Sequence, residues 1–185
     1  MIFNDLLHRM VEKNASDLHL IAGTTGVGMS QRAQSFVLDE RQNPFNVIAP
    51  GKRPRSTLTP GLAMTGGRPF LSFAVQGGDT QDQNLLQFFL DIVEFGMTVQ
   101  QACEAPNITS YQMHDSFADH KAFPGKLDVH ESVPAEVRER LKAMGYVLSV
   151  KKYTSGPINA IFFDRANGTF WGGSSNYGED YGIAW

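Results

Sequence analysis

The feature that most constrains this chain is an apolar strand that runs into two glycines and then directly into a helix. Phe70-Leu71-Ser72-Phe73-Ala74-Val75 reads as a strand, and with Gly61-Leu62-Ala63-Met64 and the turn at Thr65-Gly66-Gly67-Arg68-Pro69 it forms a hairpin. The second strand stops at Gly77-Gly78. Leu85, Leu86, Phe88, Phe89, Ile92 and Val93 then mark a broad helical face ended by Gly96. Thr98 and Gln101 have capping-box spacing for a shorter helix closed by Pro106. A hairpin followed at once by two helices predicts a layered arrangement of helices on a sheet.

The flanking elements extend this order. Phe3, Leu6, Leu7, Met10 and Val11 give the apolar stripe of a short helix ending near Asn14, followed by a brief strand at Leu18 to Ala22 and a glycine-rich loop to Gly28. Phe36-Val37-Leu38 is a second strand candidate. Asp39 to Arg55 is polar and contains Pro44, Pro50 and Pro54, which predicts a surface loop. Beyond the helix pair, Asn107 to Met113 and Lys126 to Val129 are weaker strands. Val137, Leu141 and Met144 mark a helix from Pro134 to a cap at Gly145. Tyr146 to Val150, Ile158 to Asp164 and Thr169 to Trp171 close the chain as strands, the last two joined by an Asn167-Gly168 turn. The order suits a stacked αββα sandwich with antiparallel sheet better than a doubly wound parallel sheet.

Composition excludes several functions. With 16 Lys and Arg against 19 Asp and Glu, the formal charge of -3 provides no electrostatic footprint for nucleic acid or an anionic membrane. The 185 residues include 13 Phe, 5 Tyr and 2 Trp and are 19% charged, a globular composition with enough apolar surface for a core. No run reaches the roughly 18 apolar residues that span a bilayer, and the start at Met1 lacks signal-peptide features, so a soluble chain is expected, cytoplasmic if Met1 is the native start. The lone Cys103 forms no internal disulfide and reads as packed core rather than nucleophile. His114-Asp115 and Asp119-His120 read as a solvated polar loop. No metal and no cofactor is assigned.

Two places carry chemistry. In the loop from Ala49 to Pro60, Ser56 and Thr57 follow Lys52, Arg53 and Arg55, so hydroxyls and cations together could hold a carboxylate. The alternative is a proline-stiffened, solvated basic turn. Between strand and helix, Gly77 and Gly78 could point two backbone N–H groups at one acceptor, as an oxyanion hole needs. Here the alternative is a plain strand-to-helix turn.

Taken in order, Ala49 to Pro60, Val75-Gln76-Gly77-Gly78-Asp79, Asp91 to Met97, Ala102 to Pro106 and Gly172-Gly173-Ser174 resemble the small subunit of the γ-glutamyltranspeptidase family, in particular its acylase-like branch with a Gly-Gly-Asp signature. The resemblance spans about Gly26 to Trp185 and divides the chain into an atypical N-terminal helix and strand, residues 1–23, and a small-subunit-like domain, residues 24–185. It implies an α+β N-terminal-nucleophile-hydrolase-like αββα sandwich. In such an enzyme a Thr exposed by self-cleavage attacks a γ-glutamyl amide, and the acyl group passes to water or an amine. Ser56 and Thr57 match the hydroxyl pair that binds the substrate α-carboxylate, with Thr57 where Ser is usual, and Gly77 and Gly78 match the oxyanion-hole glycines.

Arg41 falls where glutathione-cleaving members carry an amide side chain, and Pro44 where they carry the acid that binds the substrate α-amine. A dicarboxylic monoamide lacking that amine is the alternative substrate. The family's nucleophile segment should precede Gly26, and the residues there do not supply it. Thr24 and Thr25 lie too close to Gly26-Val27-Gly28, and Met1 has neither hydroxyl nor thiol. The expectation is therefore a sandwich incomplete at its N-terminal strands and inactive as an isolated chain. It would either work with a large-subunit-like partner on a small-molecule γ-glutamyl or dicarboxylic amide, or act as a non-catalytic carboxylate-binding or subunit-interaction module. An exposed sheet edge further predicts a homo-oligomer. Residues Met1 to Gly23 resemble the opening of the pilus-retraction ATPases, but no Walker loop occurs and no ATPase activity is read from them.

Overall fold

The computed structural model describes residues 32–177. The helix and strand expected before Gly23, and the segment carrying the ATPase resemblance, lie outside the described residues. The described residues form two compact units, one running to Ser56 and including Ser116–His120, the other made of Thr57–Asp115 and the chain from Lys121 onward.

The second unit is built on the expected hairpin. β1 (Gly61–Thr65) and β2 (Arg68–Val75) pair antiparallel through a turn of Gly66 and Gly67, tighter than the five residues anticipated. Both glycines have positive φ, 55° and 74°, the geometry a two-residue hairpin turn demands, so Thr65 and Arg68 can pair directly. β6 (Ile158–Asp164) adds to β2, and β7 (Thr169–Ser174) to β6, giving an antiparallel sheet of order β1-β2-β6-β7. β7 runs three residues beyond Trp171 because Gly172, Gly173 and Ser174 continue to pair with Ile161, Ala160 and Asn159. The β6–β7 turn is held by Asp164, which accepts from the Asn167 amide at 2.8 Å and from the backbone N–H groups of Ala166 and Asn167. The Asn167 side chain, above all, keeps the Asp164 carboxyl below the usual carboxylate range.

One face of this sheet is covered by α1 (Gln81–Val93) and α2 (Val99–Glu104). Leu85 and Phe88 from α1, with Val99, Ala102 and Cys103 from α2, pack on Leu71, Val75, Ile158 and Ala160. Leu71 is fully buried and Phe88 1% exposed, and each such side chain contributes roughly 1.5–3 kcal/mol by leaving water. The α2 capping box forms as its spacing predicts: the Thr98 side chain accepts from Gln101 N–H, and the Gln101 side chain accepts from Thr98 N–H.

A second sheet contains β3 (Ile108–Ser110), β4 (Lys126–His130) and β5 (Val147–Lys151), in that order. β3 keeps only three of the seven residues expected from Asn107 to Met113. It pairs antiparallel with β4, whereas β4 and β5 are parallel, a departure from the antiparallel expectation. The reason is the intervening α3 (Ala135–Ala143): a helix between strands carries the chain back to the end from which it left. Two α1 side chains serve as a further edge for β3. Gln83 donates to Ser110 O and accepts from Ser110 N–H, and Gln87 does the same with Ile108, at 2.7–3.1 Å.

In the first unit the strand expected at Phe36–Leu38 is reduced to a single parallel bridge between Val37 and Val47. A 3-10 turn (Pro44–Asn46), capped by the Asn43 side chain, holds the neighbouring loop. Among the described residues no helix is long and apolar enough to cross a membrane.

Candidate functional site

β2 ends at Val75, and Gln76 N–H then donates to Pro157 O at 3.2 Å. The next two residues turn the chain. Gly77 has φ 153° and ψ 18°, and Gly78 has φ 58°, conformations that L side chains rarely adopt. A 3-10 turn (Gly78–Thr80) leads into α1, and the Thr80 N–H and hydroxyl both donate to Gly77 O, at 3.2 and 2.9 Å. A β-carbon on Gly77 would stand 2.8 Å from that hydroxyl oxygen. The N–H groups of Gly77 and Gly78 make no hydrogen bond among the described residues. Backbone donors left unspent at a fixed corner are the material of an oxyanion site.

Gly156 supports this corner from outside and was not singled out in the sequence. A β-carbon there would fall 1.7 Å from Gln76 O and 2.6 Å from its carbonyl carbon, so the backbones of the 155–157 loop and of Gln76 touch as only glycine permits. Its signal was Ser155-Gly156-Pro157, a turn triplet just before β6.

Ser56 and Thr57 differ in surroundings. Ser56 is exposed, and Thr57 is 5% exposed. Two residues on, Thr59 is tied to α1 by its N–H and hydroxyl, which both donate to Gln81 Oε1, at 3.2 and 3.1 Å. Gln81, the first residue of α1 and 6% exposed, thus anchors the segment after Thr57 to the turn that follows Gly78. It too went unnoticed in the sequence, where a polar residue at a helix start is unremarkable.

Thr57, Gly77 and Gly78 belong to one unit, and Arg41 and Ser56 to the other. Arg41 is held by its neighbour: its Nε and Nη2 donate to the Asp39 carboxylate at 2.5–3.0 Å, with the Arg41 side chain 88% exposed. The Arg41 guanidinium keeps the Asp39 carboxyl below its ordinary value, and Asp39 in turn raises that of Arg41. His114 and Asp115 fall in one unit, Asp119 and His120 in the other. Cys103 is buried in the α2 core. The Tyr177 ring packs on that of Tyr153, with ring centroids 4.4 Å apart.

Known proteins are similar to this chain in sequence and in fold. The glutathione hydrolase proenzyme of Bacillus subtilis is 31% identical over 140 residues, which are 75% of this chain and 22% of that protein. The chain therefore spans about a fifth of that relative's length. A cephalosporin acylase structure from Bacillus halodurans superposes with a TM-score of 0.67 at 27% identity, over 82% of this chain and 26% of that one. A γ-glutamyltranspeptidase structure from Pseudomonas nitroreducens superposes with a TM-score of 0.66 at 21% identity, over 90% of this chain and 86% of that one, which shows the shared fold. The chain thus carries, in part, the mixed α/β N-terminal-nucleophile-hydrolase fold. The family profile described as Gamma-glutamyltranspeptidase matches residues 19–185, from just inside the N-terminal segment to the end, and the chain belongs to that family.

Proposed function

We propose that this chain supplies the small-subunit part of an amide-cleaving acyl transferase, with Gly77 and Gly78 as its oxyanion donors and Ser56 and Thr57 as its carboxylate ligands. The observation that carries this reading is the pair of unspent N–H groups at the β2–α1 corner. A hydroxyl nucleophile adds to the substrate amide carbonyl, and the oxygen that becomes negative is stabilised by the two N–H groups. The C–N bond then breaks, the amine leaves with a proton, and water or another amine takes the acyl group. Thr57 is buried beside a segment tethered to α1, which suits a hydroxyl meant to meet one carboxylate oxygen in fixed geometry.

The acyl group is a γ-glutamyl or related dicarboxylic monoamide. Arg41 and Pro44 replace the amide and acid that read the substrate α-amine in glutathione-cleaving members, so a glutaryl group is the better fit. The domain is formed by residues 24–185 with residues 1–23 as an addition, and the profile match begins at residue 19, within that addition. The partner in this reading is a large-subunit-like chain; the residues ahead of Gly26 hold no hydroxyl at the family's nucleophile spacing, so the reading requires a nucleophile that those residues do not supply. That same observation favours a second reading, a carboxylate-binding or subunit-interaction module without turnover. Among the described residues β1 and β7 are the edges of their sheet, which supports self-association in either case.

Glutaryl and γ-glutamyl anilides tested on the chain, alone and with a large-subunit chain, separate the two readings. The first expects anilide release in the assembled protein, faster for the glutaryl compound. No release, with glutarate still binding, leaves the module.

A further inference from the structure

We propose that a cavity beside the diglycine corner binds the ammonium group of a small organic amine, with Asp128 as counter-ion and the rings of Tyr111 and Tyr153 as walls. The cavity is about 390 Å³, room for a small ligand, and Gly77, Thr80 and Thr109 also line it. All these residues belong to one compact unit. Asp128 lies on β4 and is 9% exposed. Its Oδ2 accepts from the Tyr111 hydroxyl at 2.8 Å, and its Oδ1, itself buried, has no hydrogen-bond partner among the described residues.

A buried carboxylate needs more than one donor, because desolvation of the ionised group is offset only by charge pairing and filled lone pairs. Lys126, two residues earlier on the same strand, does not supply the pairing. Its Nζ sits over the Tyr111 ring, 4.5 Å from the centroid, and makes no ion pair with Asp128. Asp128 is the one charged residue among those that line the cavity. A metal ion would find a single carboxylate and no imidazole, short of the ligand set that hard or borderline cations require. An alkylammonium fits: it brings several N–H donors on one centre, and aromatic faces attract it. The Tyr153 ring is fixed for this by its packing on Tyr177. Thr109 and Thr154 donate their hydroxyl hydrogens elsewhere, Thr109 to Thr154 O and Thr154 to Asn107 O, so neither supplies the donor that Asp128 Oδ1 lacks.

The test needs no turnover, so its failure is separate from any failure of the acyl-transfer reading. Benzylammonium and benzyl alcohol, nearly equal in shape, are titrated into the full chain by calorimetry, and the Gly77 amide is followed by NMR. Benzylammonium is expected to bind saturably, with a shift at Gly77, and at least about tenfold more tightly than the alcohol, as a charge-assisted contact predicts. Asp128→Asn should weaken benzylammonium by about tenfold and leave the alcohol unchanged. Equal affinity for the two ligands, no saturable binding of benzylammonium, or unchanged binding in Asp128→Asn overturns the proposal. If a thermal melt shows Asp128→Asn to be unfolded, the comparison of the two ligands on the unaltered chain decides alone.

Discussion

The two sheets of the larger unit are stabilised in different ways. The β1-β2-β6-β7 sheet is covered by helices whose apolar faces are buried, down to 1% exposure at Phe88 and 5% at Leu85. The β3-β4-β5 sheet is flanked by α3, a helix with no buried residue, although Val137 and Leu141 recur at helical spacing. β4 nevertheless holds a core of its own, with Leu127 at 5% and Val129 fully buried. The first sheet thus rests on side-chain burial against helices. The second rests on backbone pairing, on β4, and on the two glutamines that bind β3 to α1. A periodic apolar stripe shows that a helix forms; it does not show how much of that helix leaves water.

The contrast predicts graded losses. The largest falls at the joint between the β2 corner and the loop before β6. Gly156→Ala would force a β-carbon into Gln76 and should cost about 4 kcal/mol or more, read by urea unfolding. Phe88→Ala removes the centre of the first sheet's cover and should cost about 3–5 kcal/mol. Leu141→Ala on α3 should cost far less, because no residue of that helix is buried, and equal losses at the two sites would break the comparison. Thr98→Ala removes one half of the capping box and should cost about 1 kcal/mol.

The second sheet should also have a signature in pH. Burial, then the hydrogen bond to Asp128 and its charge, push the Tyr111 hydroxyl up to about 12. The folded value lies above the unfolded one, so the neutral phenol's contribution is complete below about 10 and is lost as pH rises towards 12. Tyr111→Phe should flatten that part of the stability profile, measured by thermal melts from pH 9 to 12. The smallest effect belongs to Arg41→Ala. Its pair with Asp39 lies at the surface, where solvent screens it, and the melting temperature should not move measurably.

Local grammar made much of this legible in the sequence. The Gly66-Gly67 turn, the diglycine stop, the apolar face of α1 and the Thr98–Gln101 cap each depend on residues a few positions apart, and each appears where the spacing puts it. What stayed hidden depends on distant partners. Gly156 is required by Gln76, 80 residues earlier, and Gln81 by Thr59. The parallel pairing of β4 with β5 depends on α3 acting as a crossover rather than as a core element. Of the candidate site, the diglycine corner could be read because its backbone geometry restricts residue choice, whereas the contrast between exposed Ser56 and buried Thr57 is set by packing that adjacent residues do not encode.

The central claim is that the Gly77–Gly78 corner carries oxyanion donors, and kinetics of the assembled protein on a glutaryl anilide test it most directly. Gly77→Ala, which misplaces the N–H groups, should lower kcat by about 10²–10³ with little change in KM, while Gly66→Ala in the exposed β1–β2 turn should leave kcat intact. A Gly77→Ala protein that is folded and turns over within a factor of about two of the unaltered one would contradict the account.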